Sequence, residues 1–144
     1  MSADCPFCAI VAGEIPARTV HEDETAMGFL DANPLAPGHT LVIPKDHHER
    51  VGDLPAGLAE NVLTTLYDLA PAVEAAVEAD GTTIAFNDGE AAGQEVPHVH
   101  GHVVPRFDDD GGRPIHALFD SRPDLAEEEL DRIAGDVVER VSDR

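Results

Sequence analysis

HVHGHVVPR, residues 98–106, sets three histidines at alternate positions in an otherwise apolar run. Side chains alternate faces along a strand, so His98, His100 and His102 are expected on one side and Val99, Gly101 and Val103 on the other. Alternate residues lie about 6.6 Å apart, so the three rings span roughly 13 Å. One metal ion does not comfortably take all three. A division of labour is the better expectation, with the central ring flanked and oriented from both sides. A lone strand histidine is usually structural, and two at this spacing often form a metal site. Three, followed by Pro105-Arg106 and preceded by Gly93-Gln94, favour catalysis, because imidazole serves as nucleophile or base near neutral pH.

Working outward, Val96 to Pro105 reads as the strand that carries these rings, after Thr82 to Asn87 and the polar turn DGEAAGQ. Upstream, Arg18 to Glu22, Thr25 to Asp31 and His39 to Pro44 have strand composition. Leu54, Leu58, Val62, Leu66, Leu69, Val73 and Val77 recur every three or four residues, the mark of an amphipathic helix between Leu54 and Ala79. Pro71 falls inside that pattern and predicts a kink or break. Asp4 is placed to cap a short helix over CPFCAIVAG that ends at Gly13. A last helix carries Leu130, Ile133, Val137 and Val141 on one face. The order predicts an α+β fold, an antiparallel sheet with helices packed on it, in one domain over 1–144.

The 144 residues include 29 acidic and 9 basic ones, for a formal net charge of -20, and Lys45 is the only lysine. Such a surface repels phosphate backbones and anionic lipid, which argues against nucleic-acid and membrane-surface partners. The acidic coat reads as solubilising, of a kind suited to a very salty cytoplasm where screening reduces self-repulsion. No apolar run approaches the roughly 18 residues of a membrane span, and MSADCPFCAI lacks the pattern of a signal peptide, so a cytoplasmic location is expected. Cys5 and Cys8 form a single CxxC, which suggests metal or redox chemistry, with two inert buried thiols as the plain alternative.

NDGEAAGQEVPHVHGHVVPR resembles the signature of the histidine triad (HIT) superfamily, in which His-x-His-x-His follows an Asn-x-Gly…Gly-Gln turn. CPFCAIVAGEIPARTVHEDE, MGFLDANPLAPGHTLVIPKDH and the final helix fall in the family's order, so the resemblance covers nearly the whole chain. It implies a five-stranded antiparallel sheet with one long and one or two shorter helices, and a homodimer formed by joining two sheets edge to edge. It implies a nucleotidyl hydrolase or transferase acting at the α-phosphate of nucleoside 5'-phosphate conjugates, adenosine or guanosine, with no cofactor required for catalysis. Hint-like hydrolysis of phosphoramidates and similar AMP-linked molecules leads, and Fhit-like dinucleoside polyphosphate hydrolysis follows. A non-catalytic nucleotide- or zinc-binding protein of the same fold is the reading from another class; a metal oxygenase or cupin-like enzyme is weaker, for want of a further ligand.

By the same resemblance His100 is the nucleophile, its second ring nitrogen bonded to a backbone carbonyl of its own strand. His102 bonds phosphate oxygens or the leaving group. Gln94 fixes the α-phosphate from the turn that includes Gly93, Glu95 and Val96, Asn87 reaches the phosphate or leaving-group side, and His39 supports the triad. Phe7, Ile10, Phe29, Leu30 and Ala32 line a slot for the base and Asp31 takes the ribose; without the resemblance, Phe7, Ile10 and Phe29 read as core. Cys5, Cys8, His47 and His98 are the implied ligands of a structural zinc, with His48 able to substitute for His47. Two positions depart from the family pattern. Gly101 replaces a sizeable apolar residue, which removes packing or admits another group close to the backbone. Glu95 stands where relatives often carry Ser or Thr, so its carboxylate is expected to turn away from phosphate.

Overall fold

The computed structural model describes residues 4–143, which form two compact units, one ending at Gly112 and one beginning at Arg113. In the first, five strands form one sheet: β1 (Thr19–Glu22), β2 (Ala26–Leu30), β3 (Thr40–Pro44), β4 (Gly81–Phe86) and β5 (Gly101–Arg106). The order is β1-β2-β3-β5-β4 with every pair antiparallel. Helix α1 (Pro6–Val11) precedes the sheet and α2 (Ala56–Val77) connects β3 to β4. The fold class expected from the sequence is the one found.

The sheet is apolar on both faces, and each face has its own cover. Val42 and Val103 pack with Leu58, Val62, Leu66, Ala70 and Val73 of α2. Opposite, Phe29, Leu41 and Ile43 pack with Phe7 and Cys8 of α1 and with Cys5 just before it. Register decides the assignment: Phe29 faces Leu41, Leu41 faces His102, and His102 faces Ala85, so these four share the α1 side.

Three expectations are corrected. The last strand of the sheet begins at Gly101, not Val96. The His98 amide donates to Val96 O (2.8 Å) and the Val99 amide to His48 O (2.8 Å), so the chain bends before it joins the ladder opposite Val42. Of the kink or break expected at Pro71 the break is not found: α2 runs on through that residue, which is exposed on the solvent side. The cap of α1 is Cys5 rather than Asp4: the Cys5 sulfur accepts the Cys8 amide at 3.3 Å, and Pro6 at the first helical position has no amide to satisfy.

Gly101 does the second of the two things expected of it. A Cβ there would stand 2.7 Å from Leu66 Cδ1 and 3.0 Å from Phe86 Cζ, so neighbouring side chains already occupy the space. Gly101→Ala therefore overpacks a full core and is expected to cost about 1–3 kcal/mol, read as a lower denaturant midpoint with an unchanged slope. Gly38 is required twice over, by φ of 88° and by Val77 Cγ1 at 2.9 Å from its missing Cβ. That turn delivers His39 to the start of β3.

The second unit holds a 3-10 turn (Ile115–Ala117) and α3 (Glu127–Ser142). Glu127, Glu128 and Glu129 complement the positive end of α3, and Arg140 its negative end. No helix of the described residues is long and apolar enough to cross a membrane.

Candidate active site and metal centre

The His100 Nδ1 lies 2.8 Å from the carbonyl of His98, an acceptor that fixes the ring proton on Nδ1 and leaves the lone pair on Nε2. Phe7 stands edge-on at 5.0 Å from the His100 ring, and the His102 ring lies 5.0 Å away on the other side. The central ring thus has Phe7 and His102 as ring neighbours, and the His98 backbone rather than the His98 ring holds it.

His102, on β5, reaches back to β3. Its Nδ1 is 2.9 Å from His39 Nε2, and the Leu35 amide donates to His39 Nδ1 at 3.1 Å. The Asp31 Oδ2 lies 3.6 Å from that same Nδ1, too far for a hydrogen bond. His102 Nε2 is buried and has no partner among the described residues. Burial, helped by the neighbouring His100 and His39, depresses the His102 pKa to about 4. Burial also lowers that of His39, against the pull of Asp31.

Both rings are therefore neutral at pH 7. A ring that charges less readily folded than unfolded contributes stability that is whole above its unfolded pKa, about 6.5, and is lost as pH falls below it. For His102 the loss extends down to about pH 4. Urea midpoints measured across that window should fall with pH, and more shallowly in His102→Gln.

His98 turns away from the other two rings. Its Nε2–H donates to Pro44 O at 2.8 Å, so its Nδ1 lone pair faces Cys5 Sγ (3.3 Å), Cys8 Sγ (3.7 Å) and His47 Nδ1 (3.2 Å). His47 Nδ1 is also 3.4 Å from Cys8 Sγ. The four ligand atoms lie within 4.8 Å of one another. Tetrahedral zinc, with bonds of about 2.0 Å to nitrogen and 2.3 Å to sulfur, sets N···N edges of roughly 3.3 Å and N···S edges of roughly 3.6 Å. The residues fit that ion. His48, weighed as a substitute, is not among the four; its carbonyl holds Val99 instead. Burial above all pushes the Cys5 thiol up, and a protonated thiol is a poor redox nucleophile.

The nucleoside residues divide. Phe7 and Phe29 are buried and in edge contact at 5.8 Å, with Ile10 and Val96 packed beside them. Leu30 alternates to the other face, where it borders an apolar hollow with Leu69 and Val73 of α2, so the structure does not bring it to the triad's side. Ala32 is exposed, and Asp31 accepts the Asn33 amide on Oδ1 while Oδ2 stays available. Gln94 is bonded at both ends of its amide: its Oε1 accepts the Gly89 amide (2.7 Å) and its Nε2 donates to Glu49 O (2.8 Å) and Val96 O (3.1 Å). Its side chain holds the turn together. Asn87 Nδ2 comes within 3.8 Å of where a Gly93 Cβ would stand, which keeps this amide over the turn. Glu95 is exposed on an open hollow with Glu49, Arg50 and Pro97.

A HIT domain signature matches residues 12–109, a span that holds all five strands, α2 and the three histidines. The chain belongs to the HIT domain family. Its HIT relatives include an uncharacterised HIT-like protein of Methanocaldococcus jannaschii, 45% identical over 107 residues, 74% of this chain and 82% of that one. The adenosine 5'-monophosphoramidase of Saccharomyces cerevisiae is 37% identical over 78% of this chain and 68% of its own. An adenylylsulfatase of Arabidopsis thaliana is 36% identical over 74% of this chain and 54% of its own. Among solved HIT structures, one from Streptococcus mutans superposes with a TM-score of 0.87 at 37% identity, covering 98% of this chain and 87% of that one. A zinc-bound histidine triad protein from Mycobacterium smegmatis gives 0.71 at 38% identity, covering 97% and 96%.

Two groups of this HIT site carry no signal in the sequence, the Leu35 amide and the Pro44 carbonyl, whereas the carbonyl that holds His100 is the strand carbonyl the resemblance implied. Both are main-chain atoms, present at nearly every position, so residue type does not mark them.

Proposed function

We propose that this protein is a nucleotidyl hydrolase that cleaves at the α-phosphate of nucleoside 5'-phosphate conjugates, AMP-linked phosphoramidates and related small molecules first. One observation carries the reading: the hydrogen bond from His100 Nδ1 to its own chain's carbonyl at position 98, which leaves Nε2 as the free lone pair. That nitrogen forms a bond to the α-phosphorus as the bond to the leaving group breaks, and the leaving group departs with the electron pair and takes up a proton. Water then bonds to phosphorus and the N–P bond breaks. Its electron pair returns to Nε2, and the water's surplus proton passes to solvent. His102 Nε2 donates to a phosphoryl oxygen or the leaving atom and spreads charge there. Phe7, Ile10 and Phe29 hold the base and Asp31 Oδ2 accepts from the ribose. The two relatives named for adenylyl chemistry support this substrate class over dinucleoside polyphosphates. Incubation with an adenosine phosphoramidate and, in parallel, a diadenosine polyphosphate, following AMP release, tests it: faster release from the phosphoramidate supports the class, and release from neither overturns it.

The four-ligand site is read as holding structural zinc, which pins α1 to the segment before β5. Catalysis needs no metal in this scheme. The active form is read as a homodimer joined along β4. That strand is a sheet edge, and Ile84 on it is exposed on the α2 side along with Leu63 and Tyr67 of α2. Apolar side chains beside an unpaired edge suit a second copy. Gel filtration at micromolar concentration should give the mass of a dimer, with a monomer as the contrary result.

A further inference from the structure

Helix α1 is six residues long, too short to hold its shape in water by its own hydrogen bonds. Its main-chain bonds close locally, between Cys5 and Ile15. Among the described residues, every hydrogen bond that ties this stretch to the rest of the chain ends on a thiol: Cys5 Sγ meets His98 Nδ1, and Cys8 Sγ meets His47 Nδ1 and His98 Nδ1. At 3.3–3.7 Å these are weak sulfur bonds. Phe7 stands between the two cysteines. Its ring is buried, in edge contact with His100 (5.0 Å), Phe29 (5.8 Å) and His98 (5.8 Å). One side chain thus touches a metal ligand, the nucleophile and the wall of the base slot.

We propose that Cys5 and Cys8 are positioning residues of the nucleotide slot: with zinc bound they fix α1 and the Phe7 ring, so metal occupancy sets how tightly the nucleoside is held. The inference rests on the slot and zinc readings given above, and not on the chemistry at phosphorus. Coordinate bonds from both thiolates replace the weak sulfur contacts, and the Phe7 ring is then already ordered when a base arrives. The nucleophile does not share this dependence. His100 is held by the His98 carbonyl and the His98 ring by the Pro44 carbonyl, with no atom of α1 in either bond. Loss of the metal should therefore act on KM and leave kcat nearly unchanged. Linkage makes the effect reciprocal: a nucleotide that binds more tightly beside zinc tightens zinc by the same factor.

Two titrations of the full chain test this. AMP is titrated by calorimetry into zinc-loaded protein and into protein stripped with a chelator. Zinc is titrated against a competing chelator with and without saturating AMP. A tightening of roughly tenfold is expected in both, within the range usual for coupled sites. In the double variant Cys5→Ser, Cys8→Ser, KM on an adenosine phosphoramidate should rise by that factor, with kcat held within about twofold. Phe7→Leu, apolar but without the ring contacts, should bind zinc and no longer pass its effect to AMP. Should the stripped protein unfold at the assay temperature, His47→Asn weakens the metal from outside α1 and supplies the metal-poor state. A metal that serves stability alone would lower Tm on removal and leave both affinities unchanged, which overturns the proposal. So does a chain that binds no zinc, and so does full linkage in Phe7→Leu. Linkage in a chain that releases AMP from no conjugate would leave the proposal standing and sink the hydrolase reading. Normal release with no linkage would do the reverse.

Discussion

Replacement of His100 by alanine is expected to lower kcat on an adenosine phosphoramidate by roughly 10⁴-fold or more, the scale seen when a catalytic nucleophile is removed. The ring is half-buried, held by one backbone bond and one aromatic edge, and lies at the margin of the core. Stability should change little, and substrate should still bind, because the apolar slot and Asp31 are untouched. A sharper form of the test uses rapid quench. Wild type mixed with excess substrate should accumulate a nucleotidyl adduct that is acid-labile, as N–P bonds are, and that maps to the peptide holding residue 100. His100→Ala should accumulate none. Turnover retained within tenfold in the alanine variant would remove the nucleophile from the scheme and leave a binding protein in its place.

The second large effect concerns the metal. Chelation, or the double change Cys5→Ser and Cys8→Ser, should lower thermal stability while leaving kcat at moderate temperature largely intact. Binding to the native state alone stabilises by RT ln(1 + [L]/Kd), about 4 kcal/mol when the ion stands at a thousand times its Kd. For a chain of this size that is a fall in Tm of order 10 °C or more. The activity is expected to survive because Pro44 O holds the His98 ring through the nitrogen that faces away from the thiols. The His98 carbonyl therefore keeps its place beside His100. The measurements are calorimetry and zinc content on the same samples. A chain with no bound zinc and no shift on chelation would return the CxxC to the role of two inert thiols.

Composition located all five strands, and periodicity located α2, whose 22 residues let an apolar face repeat several times. Composition misplaced the start of β5. Val96 to His100 has strand composition, but two backbone hydrogen bonds bend it toward the cysteines, and composition does not register main-chain partners. Pro71 in the periodic run predicts a kink or a break, and the sequence does not say which side of the helix faces water, where a proline is tolerated without a break. The triad and the CxxC were legible through residue type and spacing, and so were the four metal ligands once the resemblance was drawn. The faces were harder. Leu30 follows Phe29 in one apolar run, and only the register with β3 reveals that it points toward α2. Gln94 carries the right amide for phosphate, and residue type does not reveal that its side chain also bonds Gly89, Val96 and the Glu49 carbonyl.

Leu66 and residue 101 share one small volume between the strand and the helix. Substitution at either position alone is penalised, by crowding in one direction and by an empty space in the other. A side chain between the two histidines is expected to cost less once the leucine has been trimmed, although Phe86 Cζ would still stand 3.0 Å from its Cβ, so the two changes should not add. Such coupling is measurable in a two-by-two set of variants as the departure of the double change from the sum of the single ones.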